Sequence, residues 1–382
     1  MVRYAIALQK MGLKNPEIID LLIKYQDVIL ALFQGKLPEI ISSRLDLIQY
    51  QPIFADNGKK SQALEYADNI LNKNHKYGIK AVCYSDVGYP SNLKEIQNPP
   101  AVIYYRGADF DENENLYVAC VGTRKPTLLS YNAINYIVPQ LVINGCVIVS
   151  GLALGVDKLS HQSCISAGGK TIAVVAHGLD MIYPKENIEL AVRILHTGGT
   201  IMSEYPVGSR PTRYSFVDRN RLIVGLSKAL VIYECDANGG TMYNATYGER
   251  QHKPIFCPDV GDTTNPVQTG TKQLIDTGRA NVIRNGRNLT GIYQSLAINS
   301  IRNVSTEEIM KNYLKSLLNI AITPDALIKT YSNFDMQYDG NPDPEHNYIV
   351  MWDLVKDKKT TANILTQTLA KNIISVTPLF GE

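Results

Sequence analysis

The chain has 382 residues, 45% of them hydrophobic and 19% charged, with a formal net charge of +2. That balance excludes a disordered chain and any strong global pull on nucleic acid, so a polyanion site has to come from local clustering of cations. The length predicts two or three domains. Six cysteines (Cys83, Cys120, Cys146, Cys164, Cys235 and Cys257) show no C-x-x-C spacing. Most fall in apolar runs, which reads as reduced core thiols of a cytoplasmic protein rather than disulfides or zinc ligands. The start lacks a signal peptide's apolar stretch, and no run is long enough to span a bilayer, so a soluble protein is expected.

Residues 1–75 read as a helical accessory domain. Ile18, Ile19, Leu21, Leu22 and Ile23 cluster, and Ala63, Leu64, Tyr66, Ala67, Ile70 and Leu71 recur at helical spacing. Asn15-Pro16 marks a helix start and Gly35 a stop. This region carries no chemistry of its own. Between Tyr77 and Gly107, prolines punctuate two short strand-like pieces around a brief helix. The acidic, Asn-rich stretch 108–115 is then a loop.

A different grammar begins at Tyr117. Tyr117-Val118-Ala119-Cys120-Val121 is a short apolar run ending at Gly122. Five more follow, at Cys146 to Ser150, Thr171 to Ala176, Thr200 to Glu204, Ala229 to Glu234 and Pro254 to Cys257, with helix-length segments between them. Strands apolar throughout and alternating with helices predict a doubly wound, mostly parallel sheet covered on both faces, an α/β Rossmann-like domain over residues 76–285. Past Val282 the pattern weakens. Residues 286–382 read as a helical appendage, with an N-cap signal at Ser305, a linker over 335–347 and helices over 348–356 and 360–371.

Ligands of such sheets bind beyond the carboxyl ends of the strands, at a switch point in strand order. The residues that follow each strand are therefore the candidates. They are Gly122, Thr123, Arg124 and Lys125; Ser150 and Gly151; Arg219, Asn220 and Arg221; and Gly239, Gly240 and Thr241. Glycines, hydroxyls and cations at helix starts make an anion site, most naturally for phosphate. Arginine grips two phosphate oxygens while Gly122 lets backbone approach closely. Arg219 and Arg221 point in different directions from one helix, so one is expected to meet the ligand while the other pairs with an acid such as Glu204 or Asp218. Phe216 is either a base-stacking ring or core. Asp157 and His161, four apart, are expected to share a structural hydrogen bond that braces the loop from Ser150. Six scattered histidines give no metal-ligand spacing, and no cofactor motif is present.

Several ordered blocks carry a resemblance. Tyr89-Pro90 with Pro99-Pro100 and Gly107, Val121 to Pro126, and Ser150-Gly151-Leu152-Ala153 with Gly155, Asp157 and His161 come first. Gly178-Leu179-Asp180 with Tyr183-Pro184, Ser203-Glu204-Tyr205-Pro206, and Phe216 with Arg219-Asn220-Arg221 follow in order, closed by Gly270 and Gly278. Together they resemble the DNA-processing protein A family, DprA or Smf. The resemblance implies an extended Rossmann domain that binds single-stranded DNA, dimerises and brings the RecA recombinase to DNA during uptake and natural transformation. It also implies that Gly122, Thr123, Arg124, Ser150, Gly151, Phe216, Arg219, Asn220 and Arg221 line the DNA pocket.

Two alternatives share the fold. Phosphoribohydrolases of the same superfamily use a glycine-rich loop and a following catalytic glutamate. Here Asn244 stands at the glutamate's place and only Glu249 is near, which disfavours hydrolysis. A non-catalytic nucleotide sensor would use the same phosphate pocket. The reading carried forward is a DNA-binding protein rather than an enzyme.

Overall fold

The computed structural model describes residues 1–36, 51–110, 116–284, 289–302, 335–337 and 349–351. Among these, nine strands build one sheet. They are β1 Lys80–Cys83, β2 Val102–Gly107, β3 Tyr117–Val121, β4 Val147–Ser150, β5 Thr171–Val174, β6 Thr200–Ser203, β7 Ala229–Ile232, β8 Ile255–Pro258 and β9 Asn281–Ile283. Their order is β1-β2-β6-β5-β4-β3-β7-β8-β9. The six apolar runs are β3 to β8, paired in parallel, with Val118 opposite Ile148 on one side and Ala229 on the other. β1 and β2 extend one edge antiparallel, β2 against β6.

The pleat sends alternate β3 side chains to opposite faces. Val118 and Cys120 pack under helices Leu128–Ile143 and Val156–Ser166. Ala119 and Val121 pack under helices Arg213–Leu226 and Met242–Arg250. Every residue of β3 to β8 is buried, which is why these runs carry no polar alternation. The chain leaves β3 toward β4 in one direction, and β7 returns on β3's other side. The switch point therefore lies beyond Val121.

N-terminal helices Val2–Lys10, Asn15–Lys24, Gln26–Phe33 and Asn57–Lys76 form as the spacing predicts. Asp56 caps the last of these by accepting from the Lys59 N–H at 3.0 Å. Arg3 and Asp68 clasp the first helix to it at 2.6 Å. Ile6, Leu8, Ala67 and Ile70 share one core with Val102, Tyr104 and Ile201, so these helices lie against the antiparallel edge of the sheet.

At the far end the expectations need a local correction. Ile349–Met351, expected in a helix, is a strand paired antiparallel with Asp335–Gln337, which was expected within a linker. Adjacent β-branched Ile349 and Val350 suit a strand better than a helix. The helices expected at Ser305 and over 360–371 lie outside the described residues. Among the described residues, no helix is long and apolar enough to cross a membrane.

Candidate nucleic-acid interface

Three loops meet at the switch point and are laced by hydrogen bonds. The Thr123 N–H donates to the Glu234 carbonyl at 2.7 Å, and the Val156 N–H donates to the Thr123 carbonyl at 3.1 Å. Thr241 Oγ1 donates to the Gly122 carbonyl at 3.0 Å. Gly155 sits at φ +76° with the backbone of Thr123 and Arg124 pressed where a side chain would start, so glycine is required there. This lacing presents Arg124 and Lys125 as exposed side chains. Among the described residues neither has a carboxylate partner, and the amides of Arg124, Gly240 and Thr241 have no hydrogen-bond acceptor.

The Arg124 guanidinium lies over the Phe216 ring at 5.6 Å from its centroid. Phe216 in turn meets Tyr183 with centroids 5.8 Å apart and planes at 45°. Tyr183 is 43% exposed and Phe216 half-buried, which makes Phe216 a rim ring rather than core. His177 holds the loop that carries Tyr183. Its Nδ1–H donates to the Gly178 carbonyl at 2.9 Å and its Nε2 accepts from the Tyr183 N–H at 3.3 Å. Nothing in the sequence flagged that role.

Directly below the rim the expectations change. Arg221 pairs with Glu204 through two contacts of 2.7 and 2.6 Å, as one of the two arginines was expected to. Arg219, however, does not reach outward: it is 5% exposed and donates to the Val174 carbonyl at 2.6 Å. A side chain on Gly151 would collide with its guanidinium. Arg219, Asn220 and Arg221 are all buried in helix Arg213–Leu226, on different sides of it, so solvent-facing roles for them are corrected here. Ser150 is buried too, donating to the Cys120 carbonyl at 2.6 Å. Its role and that of Gly151 are to shape the platform from beneath.

The helix start after β3 is a second correction. Expected to be open to an anion, it is filled by the chain's own carboxylate. Glu234, 0% exposed, accepts from the Thr127 N–H at 2.8 Å, Thr127 Oγ1 at 2.6 Å, Ser130 Oγ at 2.5 Å and Gln268 Nε2 at 2.7 Å. A carboxylate there satisfies orphan helix donors and the helix dipole together. The available signal was an acid closing an apolar strand, with Thr127 and Ser130 waiting in the neighbouring loop.

Asp157 and His161 do not bond each other. Asp157 accepts from the Ala153 N–H at 3.2 Å, so it braces the loop from Ser150 without His161. Burial pushes its carboxyl up, opposed by the nearby Arg219 charge. Thr171 donates its hydroxyl to the Ile148 carbonyl, so at 2.7 Å the His161 Nδ1–H must donate to Thr171 Oγ1. Burial then pulls the imidazole down to about 3. All six cysteines are buried and free, with burial pushing the Cys120 and Cys146 thiols up to about 12.

A mostly parallel sheet whose switch point is rimmed by laced glycine loops defines a Rossmann-like α/β protein. Residues 80–294 match the family model described as DNA recombination-mediator protein A, and the chain belongs to that family. It is 40% identical over 200 residues to protein Smf of Synechocystis sp., covering 50% of this chain and 50% of that protein. It is 34% identical over 209 residues to DNA processing protein DprA of Bacillus subtilis, covering 55% of this chain and 70% of the relative. The crystal structure of DNA processing protein A from Streptococcus pneumoniae superposes with a TM-score of 0.62 at 26% identity, covering 76% of this chain and 98% of the other. The chain thus spans about half the length of the Smf protein it matches.

Proposed function

We propose that this chain binds single-stranded DNA along the switch-point rim, without covalent chemistry. The observation that carries the reading is the strip Arg124–Phe216–Tyr183, a cation with no acid partner followed by two aromatic faces. Arg124 and Lys125 take phosphates, helped by the amides of Arg124, Gly240 and Thr241. Phe216 and Tyr183 stack on bases, a contact tolerant of sequence because every base offers a π-face. Gly122, Thr123 and Gly239 serve through backbone shape, while Ser150, Gly151, Arg219, Asn220 and Arg221 support from below. Protection of the strand, delivery to the RecA recombinase during DNA uptake, and action as a homodimer complete the proposal on the strength of family membership.

For hydrolysis of a nucleotide, neither Glu249 nor Glu234 is a free acid. Glu249 is held by Arg279 through contacts of 2.5 and 3.0 Å, and four donors saturate Glu234. The test sets a mobility shift with an oligonucleotide beside an assay for hydrolysis of nucleoside monophosphates. A shift that weakens steeply with salt, and no hydrolysis, is the expected pair of results. Hydrolysis abolished by Glu249→Ala would overturn the reading.

A further inference from the structure

Away from the rim, the N-terminal helices and the sheet border an open cavity of about 650 Å³. That volume falls within the range of about 300–1,000 Å³ typical of small-molecule sites. Lys10 from the first helix, Lys14 just before the second, Tyr66 from helix Asn57–Lys76, Tyr104 from β2, and Asn98 and Glu204 from loops all line it.

Three features give the cavity a chemical preference. The first is charge: its two lysines face one acid, and that acid already lies in the bidentate pair with Arg221. The second is a polar group just behind the wall: the Tyr104 hydroxyl is buried and has no hydrogen-bond partner among the described residues. The third is an aromatic wall already used by a cation, with the Lys10 ammonium 4.8 Å from the Tyr66 ring centroid. A phosphate held by Lys10 and Lys14 leaves most of the volume to an organic body lying against Tyr66 and Pro206.

The geometry points to a second ligand site, for a nucleotide-sized organic phosphate, separate from the DNA rim. The cavity also touches the scaffold of that rim. Asn98, at φ +58°, accepts from Arg221 Nε through its carbonyl at 3.2 Å, and Arg221 shares a helix with Phe216.

Thermal shift and calorimetry with the four ribonucleoside monophosphates, adenosine and inorganic phosphate test the site on the full chain. At least one monophosphate is expected to raise Tm and bind, while adenosine and phosphate alone bind at least tenfold more weakly. Lys10→Ala with Lys14→Ala should abolish that binding, and Tyr66→Leu should weaken it several-fold. Both variants should leave oligonucleotide binding unchanged, because neither touches the rim. No binding by any monophosphate would overturn the proposal. So would binding that survives the double lysine variant and disappears in Arg124→Ala, which would assign the nucleotide to the rim instead.

Discussion

The rim and the layer just beneath it use the same residue types for opposite ends. Arg124 stands exposed over Phe216 with no acid near enough to pair, whereas Arg219 and Arg221 are 5% and 7% exposed and spend their donors on Val174, Asn98 and Glu204. The acids divide in the same way: Glu234, with four donors, is part of the scaffold, while the rim itself presents cations and bare amides. A buried charge is tolerated best when hydrogen-bonded and paired, as Arg221 is with Glu204; Arg219, whose Nε has no partner among the described residues, is compensated by the nearby Asp157 charge. An exposed cation keeps its binding capacity because no carboxylate among the described residues satisfies it. Affinity and stability should therefore separate cleanly between the two layers.

The largest effect belongs to the inner layer. Arg219→Ala should cost about 3–5 kcal/mol, read from the urea midpoint, because it empties the space against Gly151 and leaves Asp157 buried without its compensating charge. A loss below 1 kcal/mol would mean that the buried guanidinium is dispensable and the division between layers false. Next comes acid sensitivity. The folded His161 imidazole lies near 3, below its ordinary value of 6.5. The unfolded chain therefore binds this proton first. Its contribution is complete above pH 6.5 and drains away as pH falls toward 3. Between pH 7.5 and 5 the loss is about 2 kcal/mol, since one pKa unit is worth 1.36 kcal/mol. His177, also lowered by burial, adds in the same direction. His161→Asn keeps a donor for Thr171 and should remove His161's share; an unchanged pH profile in that variant would assign the sensitivity elsewhere.

Arg124→Ala should leave the urea midpoint where it was and weaken oligonucleotide binding about tenfold. It should also lower the log–log salt slope by about 0.7, the value of one single-strand phosphate contact. Equal slopes for variant and parent would take Arg124 off the strand. This variant and Arg219→Ala form the sharpest pair, since Arg124→Ala should move affinity alone and Arg219→Ala chiefly stability.

The central sheet was legible because β3 to β8 are apolar from end to end, and such runs between helical segments have few other structures open to them. Arg124 was legible for a similar reason: a cation just past a strand and a glycine sits at the rim whatever the helix geometry. The pairing of one arginine with Glu204 was legible as well, but the burial of Arg219 was not, because Arg219-Asn220-Arg221 reads as a charged surface until the helix is placed on the sheet. Nor was Glu234 foreseen. Its partners come from residues 127, 130 and 268, and only the fold brings those donors to one carboxylate. The strand Ile349–Met351 shows a different limit, since a short apolar run reads equally well as a helix turn until its partner strand is known.

The finest test of the comparison keeps the rim's charge and alters only its shape. In Arg124→Lys the positive charge remains, so the phosphate contact and the salt slope should both persist. What goes is the planar fork that grips two oxygens and lies on Phe216, which an ammonium cannot reproduce. Affinity should drop about three-fold, less than in Arg124→Ala. A matching drop in Phe216→Leu, with no further loss when the two changes are combined, would identify the stacked pair as one unit. Full additivity of the two variants would instead mean that the ring and the guanidinium meet the strand independently, and that their contact across 5.6 Å carries no binding energy.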